Sequence, residues 1–176
     1  MKLHRLLTLL ATLSALAALK PSPLAACSCD FASVEWLLER SACVFRGVVV
    51  RVEHPGLRTV VRDGESTLVW DPGVLIRNSL TPTASWKGDL PDTVTIHALD
   101  VETACGVRFE VGKEYLVFAM AVRDTHTYWG KWPDDTVFPV LATTRCHRSA
   151  EVSRAKDALA DLGKPAWKPD PSHQND

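Results

Sequence analysis

Five cysteines are the residues of this sequence best suited to covalent chemistry: Cys27, Cys29, Cys43, Cys105 and Cys146. All of them lie beyond the apolar N-terminal stretch. Thiols pair as disulfides when a chain is exported to an oxidising compartment, and they stay reduced in the cytosol. An odd number leaves at least one cysteine outside any internal disulfide. The state of the doublet that begins at Cys27 therefore decides what the protein can do.

The remaining reactive side chains form no recognisable catalytic or metal-binding motif. The acidic pair Asp134-Asp135 lies in an expected turn, where solvation explains it without a bound calcium ion. No HExxH, CxxC or nucleophile-elbow pattern surrounds any of the four histidines that we considered, which are His54, His97, His126 and His147. We therefore predict that the protein is not an enzyme and has no cofactor or metal of its own.

The N-terminus predicts an export signal. Lys2, His4 and Arg5 precede an apolar run over residues 6–19, which is too short to span a bilayer. Small residues then stand directly before Cys27, where a signal peptidase requires them. We predict a signal peptide over residues 1–26 and a mature protein that is secreted or held in the cell envelope.

Lipidation is the alternative fate of Cys27. The stretch Leu24-Ala25-Ala26-Cys27 also fits a bacterial lipobox, in which the cysteine thiol receives diacylglycerol before cleavage. The modification consumes the sulfur and allows acylation of the amine. The polar spacer Lys20-Pro21-Ser22-Pro23 favours an unlipidated terminus, because a lipoprotein signal normally stays apolar up to the lipobox. Both alternatives remain open, and membrane association is expected only with the lipid anchor.

Charge excludes one class of partner. The whole chain has a formal net charge of −1, and the predicted leader removes Lys2, Arg5 and Lys20 but no acid. The remaining ~150 residues, a typical length for one domain, are therefore more acidic still. They contain no basic stripe in the sequence, so we predict no nucleic-acid partner.

The hydrophobic pattern predicts strands between two helices. An amphipathic helix is expected over residues 31–42, with Asp30 or Ser33 as its N-cap. Cys43–Glu53 is rich in β-branched residues and predicts a curved strand that bends at Gly47. Further strands are expected at 67–70 with 74–77, 93–99, Glu114–Val122 and 137–143, and a second helix runs from Ser149 to a stop at Gly163.

This organisation predicts a partly open β-barrel or a sandwich. We assign residues 1–26 to the signal peptide, 27–163 to the domain, and 164–176 to a proline-rich polar tail that is expected to be disordered.

Five segments stand out, in order "CSC", "SACVFRGVVV", "SWKGDLPDTVTIHA", "TACGVRFEVGKEYLVFA" and "TTRCHRS". Together they resemble the tissue inhibitor of metalloproteinases (TIMP) family and its bacterial relatives, which share the netrin-like (NTR) domain. The resemblance covers residues 27–149 and implies a mainly β fold, an OB-fold-like five-stranded barrel with a short N-terminal and a C-terminal helix. Its most specific parts are Trp86-Lys87-Gly88, Cys105-Gly106 and Gly112-Lys113-Glu114-Tyr115.

The resemblance also implies a disulfide pattern. Carried over residue by residue, it pairs Cys27 with Cys105 and Cys29 with Cys146, which would hold the N-terminal segment across the barrel. Cys43 departs from the family pattern, since it stands where an aliphatic residue is expected. We predict a buried free thiol at Cys43, with pairing to another molecule as the alternative.

The function implied by the resemblance is protease inhibition. The α-amine and carbonyl of Cys27 would chelate the catalytic zinc of an extracellular metalloprotease and displace the water that the metal activates. The side chain of Ser28 would enter the S1′ pocket of the enzyme. The alternative is an envelope-associated binding module of the same fold without inhibitory activity, because a fold alone does not determine a function.

Trp129 and Trp132 lie in "THTYWGKWPDD", where aromatic and turn residues alternate. One interpretation is an exposed contact loop for a partner or an envelope polymer. The other is that these rings cover the open end of the barrel.

Overall fold

A computed structural model of the protein describes residues 29, 32–62, 64–71, 73–99, 105–125 and 130–168. Over these residues the fold is mainly β, with two α-helices, α1 (Val34–Arg40) and α2 (Lys156–Leu162). The strands are β1 (Cys43–Glu53), β2 (Leu57–Arg62), β3 (Glu65–Trp70), β4 (Ile76–Lys87), β5 (Val94–Ala98), β6 (Glu114–Val122), β7 (Val140–Thr143) and β8 (Ala150–Glu151).

Five of the strands close into a barrel in the order β1, β4, β5, β7, β6, because β6 returns to pair with β1. Neighbouring strands are antiparallel except for β5 and β7, which are parallel. Closure leaves these five strands with neighbours on both sides and removes the free edges that invite aggregation. The predicted OB-fold-like barrel with a helix toward each end is confirmed.

Strand β1 pairs with β4 on one side and with β6 on the other, and Gly47 lies where it approaches β4 closely. The pairing register with β4 shifts between Arg46 and Gly47, as expected for a bulge. A Cβ at this position would lie 3.0 Å from both the Phe45 ring and the Thr81 carbonyl oxygen. Glycine is therefore required for the close approach of the two strands.

The barrel interior is filled by the inward-facing side chains of alternate strand positions. Phe109 and Tyr115 pack with their ring centroids 4.7 Å apart. Full burial of each aliphatic or aromatic side chain contributes about 1.5–3 kcal/mol, so this cluster dominates the stability of the domain. Its most buried members include Phe45, Val49, Leu80, Ile96 and Val117.

Both helices pack against the outer surface of β1 and β6. Val34 and Leu37 of α1 are buried together with Phe118 of β6. The hydroxyl of Ser33 accepts a hydrogen bond from the Trp36 backbone N–H at 3.2 Å, which begins the helix three residues later than the sequence predicts.

The strand β4 extends ten residues beyond its predicted end at Arg77. Pro82 lies inside it, and a proline discourages a strand prediction because it lacks a backbone donor. In the structure Pro82 pairs opposite Gly47, at the register shift where the regular ladder is interrupted. A proline is tolerated at such a position.

The chain after β7 is less regular than the single helix that the pattern predicts. Strand β8 pairs with β6, a 3₁₀-helix follows at Val152–Arg154, and α2 then ends at Gly163 with φ 64°. Further on, Trp167 exchanges backbone hydrogen bonds with Ser85. Residues 169–176 lie outside the described part of the chain, and no helix within that part is long and apolar enough to cross a bilayer.

Candidate functional site

The predicted disulfide between Cys29 and Cys146 is present. It joins residues 117 positions apart, with their Cα atoms at 5.0 Å. In the chain-entropy model, a cross-link that closes so long a loop destabilises the unfolded state by about 5 kcal/mol. The disulfide thereby holds Cys29, the first described residue, at the end of the barrel where β7 ends.

Cys105 is also disulfide-bonded. Its predicted partner Cys27, and Ser28 with it, lie outside the described residues, so that pairing and the zinc-chelating role remain predictions. The Arg145 backbone N–H donates a hydrogen bond to the Cys105 carbonyl at 3.0 Å. This contact places the segments that hold Cys105 and Cys146 side by side, as the family resemblance implies.

Cys146 lies in a single 3₁₀ turn, Arg145–His147, that is capped at its beginning. The Thr144 backbone N–H donates to Nδ1 of His147 at 3.2 Å, so this nitrogen is unprotonated and the neutral imidazole carries its proton on Nε2. Burial lowers the pKa of His147 and favours the same neutral form. The side chain of His147 therefore fixes the conformation of the turn that carries the disulfide.

A buried polar network ties this turn to the barrel. The Phe118 N–H donates to the Ser149 hydroxyl at 2.9 Å, and the Thr143 hydroxyl donates to the Phe118 carbonyl at 2.8 Å. The two hydroxyl oxygens are 2.7 Å apart. A satisfied network of this kind is rigid, because any movement leaves a buried polar group without a partner.

An apolar hollow of about 540 Å³ lies beside the disulfide, between the start of α1 and strand β6. Its lining comprises Ala32, Ser33, Trp36, Leu37, Met120, Cys146 and His147.

Cys43 is a buried free thiol, as predicted. Burial raises its pKa to about 12, so the reactive thiolate is scarce at neutral pH. A Cβ at Gly88 would lie 2.8 Å from the Cβ of Cys43, which shows how closely the adjacent backbone covers it. The thiol therefore belongs to the packed interior.

The contact-loop prediction does not hold for Trp132. Its side chain is only 8% exposed and packs on His97 and Phe138, with ring centroids at 5.5 and 5.1 Å. The ring fills a third cluster with Leu75 and Leu99, so it follows the alternative in which the aromatic rings pack on the barrel. Trp129 lies outside the described residues.

A surface that the sequence reading missed is the ribbon formed by β2 and β3, here called the hairpin. Its strands pair in register from Leu57 opposite Trp70 to Arg62 opposite Glu65. Every side chain of β2 is exposed. Residues 67–70 of β3 are predicted as a strand, but β2 is not; Asp63-Gly64 between two runs of β-branched residues is a strong hairpin signal that could have identified β2 as its partner.

Ion pairs brace the base of the hairpin. Lys131 contacts Asp71 at 2.6 Å, and Arg77 pairs with both Glu53 and Asp135. These residues line an open cleft of about 500 Å³. Each of these five charged side chains has an opposite partner, so the ion pairs hold the base of the hairpin in place.

Within the residues that the structure describes, no group of three or more histidine, cysteine or acidic side chains could hold a metal ion. Comparison of the sequence with models of known protein families and with curated proteins finds no match.

Proposed function

We propose that the protein is an exported inhibitor of a zinc metalloendopeptidase that acts through the amine and carbonyl of Cys27. The observation that carries this proposal is the Cys29–Cys146 disulfide beside a second bonded cysteine, Cys105, at one end of an OB-fold-like barrel. These cysteines occupy the positions expected from the TIMP resemblance.

Preorganisation is the physical reason why such an arrangement suits inhibition. A chelating terminus that is already held against the barrel loses little conformational entropy on binding. The unperturbed pKa of an α-amine is about 7.7–8.0, so the neutral amine that zinc requires is available near neutral pH. The rigid turn around Cys146 provides the support that an inhibitory segment needs.

The decisive experiment compares the mature protein beginning at Cys27 with a form that carries one extra alanine ahead of it. Both are assayed as inhibitors against a panel of zinc endopeptidases. We expect the extension to weaken inhibition at least about 100-fold, roughly 2.7 kcal/mol, because the amine no longer reaches the metal. An extra alanine after Asp176 is the matched control and should change nothing. Equal inhibition by all three forms contradicts zinc chelation.

Intact-mass measurement and N-terminal sequencing of the native protein test the terminus itself. An unmodified Cys27 in a disulfide with Cys105 supports the inhibitor. A diacylglycerol adduct on Cys27 excludes chelation by this residue and favours a lipid-anchored binding module.

The exposed hairpin supports the second candidate, an envelope binding module. Val61 and Leu68 are 67% and 64% exposed, and apolar side chains on a projecting ribbon are typical of an interaction surface. We expect Val61→Ser with Leu68→Ser to reduce cosedimentation of the protein with isolated cell-wall polymer, whereas the alanine extension ahead of Cys27 leaves it unchanged. Unaltered cosedimentation of the double variant contradicts this candidate.

A further inference from the structure

A cleft of about 450 Å³ opens near the disulfide-bonded end of the barrel. Its walls are the loop that follows Cys105 and the chain from Arg145 to Arg154, and Tyr115 of β6 lines it between them. The volume lies within the range of sites that bind small molecules. None of the predicted functional residues accounts for this cleft.

Arginines dominate the lining: Arg108, Arg145, Arg148 and Arg154. The two acids of the cleft, Glu110 and Glu151, are already engaged. Lys113 lies 3.0 Å from Glu110 and 3.5 Å from Glu151, and Arg154 also contacts Glu151 at 3.5 Å. The acids therefore do not neutralise the remaining three arginines.

Arg108, Arg145 and Arg148 form no ion pair with any residue that the structure describes. The pKa of Glu35 in α1 is lowered mainly by hydrogen bonds from the backbone and from Ser33. The charge of Arg148 makes a smaller contribution to the same shift, although the two side chains are not in contact. Three arginines that form no ion pair within the described residues thus line one concave surface. Like charges collected in this way repel one another unless an anion is bound between them.

The backbone that carries these arginines is held in place before any ligand binds. Arg145 is anchored by its hydrogen bond to Cys105 and is followed by the bonded Cys146. Arg148 adopts the left-handed conformation with φ 56°, which is unusual for a residue with a long side chain. Strained backbone of this kind is concentrated at functional sites, where the surrounding structure maintains it.

Tyr115 adds a neutral donor. Its hydroxyl accepts a hydrogen bond from the Glu110 backbone N–H at 3.1 Å, and no acceptor within the described residues takes its own hydrogen. Burial raises the pKa of Tyr115, so the phenol stays protonated at neutral pH and keeps that hydrogen to donate.

We propose that this cleft binds a phosphate-type oxyanion through Arg108, Arg145 and Arg148, with Tyr115 as a further donor. The planar fork of a guanidinium group pairs with phosphate through two parallel hydrogen bonds. A carboxylate has two oxygens and a single negative charge, which is too little to pair with three guanidinium groups. A tetrahedral dianion can accept hydrogen bonds from all three. The site is independent of protease inhibition.

The test uses the mature protein and two sources of the same chemistry. Inorganic phosphate is titrated calorimetrically, with chloride at equal ionic strength as the reference. Vesicles of phosphatidylcholine with and without phosphatidic acid test a lipid headgroup. Binding of inorganic phosphate would show that a free phosphate group is sufficient. Binding only to the vesicles that contain phosphatidic acid would show that the ligand is a lipid headgroup. An absence of binding in both arms overturns the proposal.

Variants locate the site. Arg145→Gln with Arg108→Gln should weaken binding in the positive arm tenfold or more. Arg123→Gln is the matched control, since this exposed residue follows β6 at the end opposite Tyr115, roughly 25 Å away at the rise of a strand. It should change affinity less than about twofold. Equal losses in the cleft variant and the control would show only general attraction to a positive surface and overturn the proposal.

Arg148→Gly separates binding from folding. Glycine adopts the left-handed conformation without strain, so the melting temperature should be unchanged or higher while phosphate affinity falls. Retention of full affinity by this variant and by Arg108→Gln would overturn the assignment.

Discussion

The end of the barrel that carries Cys146 and the hairpin are both surface regions, yet they are held in opposite ways. The disulfide-bonded end is cross-linked to Cys29 and tied to β6 by the buried hydroxyls of Thr143 and Ser149. The hairpin has its own strand pairing and ion pairs at its base, but all side chains of β2 are exposed. One region is rigid before binding, whereas the other can adapt.

The difference indicates which kind of interaction each region suits. A rigid surface binds with a small entropic cost and favours a defined geometry, such as metal chelation or an oxyanion held between fixed arginines. A two-stranded ribbon alone is only marginally stable in water, so the hairpin depends on its base and can change shape against a partner. The following predictions test this contrast.

The largest effect is expected from removal of the cross-link. Cys29→Ser with Cys146→Ser should lower the free energy of unfolding by about 5 kcal/mol, because the unfolded chain regains the freedom of a 117-residue loop. Urea denaturation measures the change. A loss below about 1 kcal/mol would mean that the disulfide-bonded end is no more constrained than the hairpin.

A smaller effect is expected from the buried hydroxyl of Thr143. Thr143→Val keeps the side-chain shape but removes the donor to the Phe118 carbonyl, so the free energy of unfolding should fall by about 1–2 kcal/mol. The same substitution at Thr59, which is exposed in the hairpin, is the matched control. It should lower the free energy of unfolding by less than about 0.5 kcal/mol. Equal losses at the two positions would contradict the contrast.

The disulfide-bonded end should also be the more sensitive to acid. Burial holds the pKa of His147 in the folded protein below its ordinary value of 6.5, so the unfolded chain binds a proton more readily than the folded protein below that pH. The free energy of unfolding should therefore decline as the pH falls below 6.5 and through the lower folded pKa. Burial also lowers the pKa of His97, which contributes to the same decline.

Urea titrations at several pH values measure this decline. His147→Gln should make the decline shallower, because the variant has no group at this position that gains a proton on unfolding. Identical slopes for wild type and His147→Gln would show that acid does not act through the disulfide-bonded turn.

The smallest effect on stability is expected in the hairpin. Val61→Ser replaces a side chain that is 67% exposed, so the free energy of unfolding should change by less than about 0.5 kcal/mol. Hydrogen exchange should nevertheless be faster in β2 than in β6, since backbone hydrogen bonds without buried neighbours open locally. Slower exchange in β2 would mean that the hairpin is as rigid as the barrel.

The sequence by itself determined the elements with dense local signals. Strands β1 and β6 have the predicted bounds because each is a run of β-branched and apolar residues between turn residues. The buried thiol at Cys43 followed from its place on an apolar strand, and the Cys29–Cys146 disulfide followed from the family resemblance.

Only the tertiary structure decided the features that depend on distant residues. Pro82 is acceptable in β4 because its pairing register with β1 shifts at Gly47, far away in the chain. Trp132 is buried because His97 and Phe138 surround it, although its own neighbours suggest a loop. The arginine cleft is formed by residues from separate segments. Strand pairing and packing bring these segments together, so no local sequence pattern predicts that they are close.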